Sequence, residues 1–230
     1  MRTALLLLAL VTTAPLAAQF EGTIAMTASD KGTEPVAIQY YVQKGRVAIV
    51  MVAPPSAGPM AGSEMRMLMD PDQQKMTILM PLSGQMAAMM GGAKGIKMVT
   101  DLKDLPNGDE VAPNGSVKEL GTKQRIAGRE CTDYEVKSDS GTVTMCLTEG
   151  LGNFLLATGG MASSANVPAW ARNLEGKFPL KVVDANGNAL LTVISITPGT
   201  VPAALFAVPA DYQDVGGMMG GMGGGRRGNN

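Results

Sequence analysis

From Phe20 onward, apolar and polar positions alternate with a period of two, and short turn signals interrupt the alternation. That is the pattern of antiparallel hairpins rather than of strand–helix–strand units. In IQYYVQKGRVAIVM, a two-residue Lys44-Gly45 loop sets Val42 opposite Val47, Tyr40 opposite Ile49 and Ile38 opposite Met51, all on one face. Gln39, Tyr41, Gln43 and Arg46 fall on the other face, so this ribbon is predicted to cover a core on one side and meet water on the other. In PLKVVDANGNALLTVISI, the central Asn186-Gly187 is a strong two-residue turn signal because both turn positions want positive φ. The register then pairs Val182 with Leu191 and Leu180 with Val193, leaving Val183, Leu190 and Ile194 as apolar groups on a second face that needs cover.

A helix in SSANVPAWARNLEGKFP is the predicted cover. Asn166 caps its start, Pro168 suits its first turn, and Gly176 ends it. Val167, Trp170, Ala171 and Leu174 share one helical face, which makes Trp170 a packing anchor rather than a ligand platform. Two stretches lack order of this kind. LSGQMAAMMGGAKG, Leu82 to Gly95, reads as a short helix broken at Gly91 and Gly92, followed by a turn-rich run through Gly115. After Asp214, GGMMGGMGGGRRGNN offers little surface to bury against the entropy of ordering its glycines, so residues 214–230 are predicted to be a disordered tail.

The two cysteines lie in CTDYEVKSDSGTVTMC. A register that sets Cys131 opposite Cys146 also sets Tyr134 opposite Val143 and makes Ser138-Asp139 the loop, at a separation that a disulfide tolerates. In that register the bridge shares the polar side of the hairpin with Asp133, Glu135, Thr142 and Thr144. A four-residue loop, Ser138 to Gly141, would instead make the cysteines diagonal neighbours, near or past the reach of a bridge. The pair reads as a structural staple, since neither a CxxC spacing nor a thiolate-stabilising environment is visible.

Methionines follow the strand period as well. Met65, Met67 and Met69 alternate in EMRMLMD, and Met76, Ile78 and Met80 in KMTILM, across the turn Pro71-Asp72-Gln73-Gln74. Each set lines one face. Ordinary core packing accounts for them, while a deformable apolar cavity built from unbranched thioether chains is a second reading. Cu(I) capture is a third, directed at Met86, Met89, Met90, Met218, Met219 and Met222 in the irregular segments, because thioethers suit soft metals. Those same methionines would equally serve a peripheral membrane contact.

Composition narrows the chemistry. The chain has no histidine, so a Ser-His-Asp triad, an HExxH zinc site and an imidazole base are all excluded. Asp101, Asp104, Asp109 and Glu110 sit in a turn-rich stretch and read as solvated loop. Asp184, Asn186, Gly187 and Asn188 begin like a calcium loop, but Ser195 stands where the closing acid belongs. With a net charge of −1 and no basic block, no nucleic-acid partner is suggested. No cofactor is implied. At the start, Arg2, the apolar run Ala4 to Val11 and the small-residue end Leu16-Ala17-Ala18 form a cleavable secretory signal, residues 1–18, which predicts a periplasmic or secreted protein with one β-rich domain over 19–213.

FEGTIAM, YYVQKGRVAIVM, MRMLMDPDQQKMTILMP, the cysteine hairpin, FPLKVVDANGNALLTVISITP and LFAVPADYQ together resemble the secreted bacterial family catalogued as domain of unknown function 4412. That resemblance brings no activity with it. At greater distance, the strand order with Leu205-Phe206 and Pro209 to Tyr212 is similar to the lipoprotein-carrier superfamily. This second resemblance implies a mainly β (α+β) fold, a curved, half-open antiparallel sheet with one or two short helices packed on or closing it. It also implies an apolar face for a lipid, an acyl chain or a lipidated protein. The combined expectation is a non-catalytic extracytoplasmic protein that binds a hydrophobic ligand or a lipidated partner, with a structural or regulatory interaction module as the competing class.

Overall fold

The computed structural model describes residues 20–29, 34–104, 114–139, 141–152, 154 and 169–216. Among the described residues, twelve strands form one sheet: β1 (Gly22–Ala28), β2 (Val36–Gln43), β3 (Arg46–Val52), β4 (Glu64–Asp70), β5 (Lys75–Pro81), β6 (Gly95–Asp101), β7 (Gly115–Ile126), β8 (Arg129–Ser138), β9 (Gly141–Glu149), β10 (Lys177–Asp184), β11 (Ala189–Pro198) and β12 (Tyr212–Asp214). Their order is β12-β6-β5-β4-β3-β2-β1-β11-β10-β9-β8-β7. The chain thus lays down two antiparallel meanders, β1–β6 and β7–β11, which join where β1 pairs with β11. The sheet curves and keeps two open edges, as expected of a mainly β, half-open architecture. One strand departs from the antiparallel rule, since β12 adds to β6 in parallel.

Local turn chemistry sets most of the registers. Lys44 and Gly45 take φ 51° and 74°, and around them Val42 faces Val47, Tyr40 faces Ile49 and Ile38 faces Met51, as the sequence predicts. Ala127 and Gly128 make a similar two-residue turn between β7 and β8. The segment expected to be turn-rich after Gly95 instead begins with β6, which pairs along all of β5. Before it, the short helix α1 (Gly84–Met89) ends where Gly91 and Gly92 adopt φ 68° and 82°.

The Asn186-Gly187 hairpin pairs Val182 with Leu191 as predicted, but Leu190 bulges out of β11, Val183 faces Ala189, and the loop is one residue longer. Asp184 is the reason. Its Oδ1 accepts from the backbone N–H groups of Asn186 and Asn188, both at 2.9 Å, and its Oδ2 accepts from Asn188 Nδ2 at 3.0 Å, which holds the wider loop open. The second face of this hairpin is not covered as expected. The 3-10 turn Ala169–Leu174 packs chiefly on β7, where the Trp170 ring lies against Gly115, and a bulge between Ala25 and Met26 leaves Ile194 60% exposed. The proposed caps Asn166 and Pro168 lie outside the described residues.

The disulfide between Cys131 and Cys146 is present, yet in the other register. Asp133 faces Cys146 and Ser138 faces Gly141, so the cysteines are diagonal rather than opposite. Their Cα atoms are nevertheless 5.3 Å apart, well within bridging range. The right-handed twist of paired strands draws one of the two diagonals together, a contraction that flat-ladder spacing leaves out. The bridge also lies in the core rather than on a wet polar face, with both cysteines 2% exposed.

That core occupies the inner, concave face. Tyr40 on β2 and Phe178 on β10 are three strand spacings apart, about 14 Å on a flat sheet. Their ring centroids are only 5.4 Å apart, and Phe154 completes the cluster at 6.1 Å from Tyr40 and 5.0 Å from Phe178. The sheet therefore curls until side chains from its two meanders meet. On the outer face, the chain after β11 forms a strap across the first meander. Gln43 Nε2 donates to the Val201 carbonyl at 2.9 Å, the Arg46 guanidinium lies 4.9 Å from the Phe206 ring centroid, and Phe206 and Tyr212 pack with Tyr41 over Ala48, Leu68 and Leu79. The outer side of the β2–β3 ribbon, expected to meet water, is instead the bed for this strap. β12 reaches Asp214 and Val215 is buried, so packed chain runs past the expected start of the tail at 214; residues 1–19 and 217–230 lie outside the described residues.

Gly95 is where the strap anchors, since a Cβ there would overlap the Tyr212 ring. Gly95→Ala is expected to destabilise the fold by about 1–3 kcal/mol and to raise hydrogen exchange selectively in β12. Unchanged exchange at Gln213 and Asp214 would show that the strap does not depend on that contact.

Candidate functional site

The inner face is organised in rows that cross the strands. One row runs Tyr40, Ile49, Met67, Ile78, Met98 from β2 to β6. A second runs Val42, Val47, Met69, Met76, Thr100. A third runs Ile38, Met51, Met65, and the same β4–β5 register carries it on to Met80, which faces Ile96. All six apolar positions singled out in the sequence, Met65, Met67, Met69, Met76, Ile78 and Met80, therefore share this face. Tyr40 and Ile49 are fully buried and Met69 is 2% exposed, while Met67, Ile78 and Met98 are half-buried. The face is sealed toward β1 and β10 and opens toward β6.

Met51, Met98 and Ile96 belong to the same surface, although sequence reasoning did not include them. Met51 already faced Ile38 in the predicted hairpin, so the signal for it was present. Met98 required recognition of β6. Of the methionines considered for Cu(I), Met86 and Met89 lie on α1 and Met90 ends it, with Met89 79% exposed. Met218, Met219 and Met222 lie outside the described residues.

A depression of about 230 Å³ lies on the opposite, outer face, lined by Glu64, Arg66, Leu79, Pro81, Pro209 and Tyr212. None of the six sequence-predicted residues borders it. Arg66 Nη2 pairs with Glu64 Oε1 at 2.9 Å, and Nη1 reaches the carbonyls of Ala204 and Leu205 at 3.4 Å each. Its polar groups thus hold the strap to β4, and the depression reads as the seam of that contact.

Another concentration of ionisable groups lies on the second meander. Lys177 Nζ pairs with Glu149 Oε1 at 2.7 Å and lies 5.7 Å from the Tyr134 ring centroid, while Tyr134 Oη donates to Glu119 Oε2 at 3.1 Å. Burial, then the hydrogen bond to Glu119, raises the Tyr134 pKa above the usual phenol value. The hydrogen bond to Glu149 raises that of Lys177. Both shifts hold protons more firmly, opposite to what a phenolate base or an amine nucleophile needs. Asp133, a buried carboxylate beside the disulfide, is held by Gln124 Nε2 at 2.8 and 2.9 Å. Among the described residues, no group of three or more acidic or cysteine side chains is placed to hold a metal ion, and no helix is long and apolar enough to cross a membrane.

The profile of a family described as Domain of unknown function (DUF4412) matches residues 20–212. No curated protein matches the chain. Among solved structures, an uncharacterized conserved protein from Thermus thermophilus is similar at 12% identity and a TM-score of 0.48, over 86% of this chain and 91% of that one. PNGF-II is similar in two crystal forms. In the C2 form the identity is 12% and the TM-score 0.48, over 85% of this chain and 31% of that one. In the P21 form they are 11% and 0.44, over 86% and 32%. The chain therefore spans about a third of the length of PNGF-II.

The loop carboxylate Asp184 gives this region a pH signature. Hydrogen bonds from the Asn188 side chain and backbone, and then from Asn186, lower its pKa below the usual carboxylate value. The stabilisation is fully present above the unfolded-state value, about 3.9, and is lost as pH falls through the lower folded-state value. In urea melts at several pH values, the gap between wild type and Asp184→Asn is expected to shrink as the medium is acidified below about pH 4. A gap independent of pH would mean that the carboxylate charge is not what holds the loop.

Proposed function

As the chain belongs to the DUF4412 family over residues 20–212, a membership that brings no activity with it, we propose from the geometry a non-catalytic extracytoplasmic protein that binds a hydrophobic ligand or a lipidated partner on the open half of its inner sheet face. The row Tyr40, Ile49, Met67, Ile78, Met98 carries this reading, because it runs from fully buried to half-buried apolar side chains without a charged residue. Water in contact with Met67, Ile78 and Met98 is the thermodynamic incentive for an apolar guest, at about 25 cal/mol for each Å² covered. Methionine suits such a face because an unbranched thioether chain re-packs around differing shapes with little strain. The extracytoplasmic setting is supported by the disulfide, which persists in oxidising compartments. The signal at residues 1–18 belongs to the same proposal.

A second reading, an interaction module without a ligand, is favoured by the position of the 230 Å³ depression on the opposite face. One experiment separates the two. The full chain is titrated with an environment-sensitive naphthylamine probe, which a free fatty acid then displaces. Wild type is expected to bind, and Ile78→Lys to weaken binding by about tenfold or more. Ile194→Lys, on an exposed outward position, is expected to leave binding unchanged. If wild type enhances no probe fluorescence, or if Ile78→Lys binds like wild type, the ligand-binding reading is wrong and the interaction module stands.

A further inference from the structure

The third row of the inner face has a chemistry of its own. Met51 on β3 lies directly opposite Met65 on β4, and the β4–β5 register brings Met80 beside Met65 on its other side. Three thioethers thus lie side by side on three adjacent strands, and all three side chains are half-buried, packed yet within reach of solvent. Opposed residues have Cβ atoms about 4.5–5.5 Å apart, and each methionine has three rotatable bonds with which to aim its sulfur at a common point.

The row lies at one end of the sheet, and the chain connections at that end add to it. The 3-10 turn Pro55–Met60 links β3 to β4 there, and α1 links β5 to β6 there, so Met60, Met86 and Met89 are placed at the same end. We propose that Met51, Met65 and Met80 form a binding site for a soft monovalent cation, Cu(I), with α1 able to supply a further thioether. This is a site on the sheet, distinct from the glycine-rich tail, and it does not depend on the apolar-ligand reading.

The donor set dictates the choice of ion. The chain has no histidine, and both cysteines are tied in the buried disulfide, so thioether sulfur is the soft donor available. Thioethers are neutral and polarisable, which matches a soft ion of low charge. Zn(II), Ca(II) or Mg(II) would have to shed a hydration shell without gaining an anionic ligand. Glu64, the acid nearest the row in sequence, lies on the opposite face and is paired with Arg66.

The test is an anaerobic titration of the full chain with Cu(I) against a chromophoric Cu(I) chelator, paired with methionine-methyl NMR during addition of Ag(I) as an air-stable surrogate. One equivalent is expected to bind, with the methyl signals of Met51, Met65 and Met80 shifting together. Met65→Leu, which keeps side-chain volume, is expected to weaken binding by about tenfold or more. Substituting Met218, Met219 and Met222 together by leucine is expected to leave it unchanged. The Ag(I) shifts in wild type need no variant to fold, so they read the site even if Met65→Leu proves unstable. The proposal is overturned if no Cu(I) is taken from the chelator, if the shifts are confined to other methionines, or if only the tail variant loses affinity.

Discussion

Pairing of β1 with β11 is the constraint on which this architecture depends. Those strands come from opposite ends of the domain, and without their ladder the chain would be two separate meanders, each with an apolar face exposed. Joined, they form a sheet wide enough to curl on itself, and the Tyr40, Phe154 and Phe178 rings meet across the fold. Such a non-local pairing carries a loop-closure cost that the buried rings and aliphatic side chains must offset. The disulfide helps on one side only, by fixing β8 to β9 within the second meander.

Bulges decide which part of the inner face closes. Register shifts interrupt the β1–β11, β10–β11, β9–β10 and β7–β8 ladders. The ladders from β1 through β6 run with continuous register. Because each bulge adds local bend and twist, curvature concentrates where the core is sealed. The regular half stays more open toward its β6 edge, where Met65, Met67, Met76, Met80 and Met98, together with Ile78 and Ile96, make up most of the half-buried inward side chains. Its outer face is occupied by the strap, whose polar contacts with Gln43, Arg46 and Arg66 fix it to β2, β3 and β4. The apolar surface left half-exposed therefore lies on the inner side of β4 to β6.

What could be read from the sequence was local. Lys44-Gly45 specified both its turn and its register because positive φ at two consecutive positions leaves few alternatives. Strand alternation alone placed Met65, Met67, Met69, Met76, Ile78 and Met80 on one face. The misreadings involve neighbours that no short window contains. The cysteine hairpin turns one residue later than the facing register requires, which moves each strand partner by two, and twist, rather than direct opposition, brings Cys131 to Cys146. Asp184 widened a loop that its Asn-Gly pair would have kept tight. Tyr41, Gln43 and Arg46 looked like a wet face because the strap that uses them comes far later in the chain, as the Gln43–Val201 bond shows with a separation of 158.

The central claim is that one sheet is sealed at its bulged half and open along its methionine half. The most direct measurement is solvent paramagnetic relaxation of methionine ε-methyl groups with a neutral nitroxide in the full chain. Met26 and Met69, which are 1% and 2% exposed, should be shielded, while Met65, Met67, Met80 and Met98 should relax markedly faster. Uniform shielding of all six would contradict the account, because it would mean that the inner face is closed along its whole width.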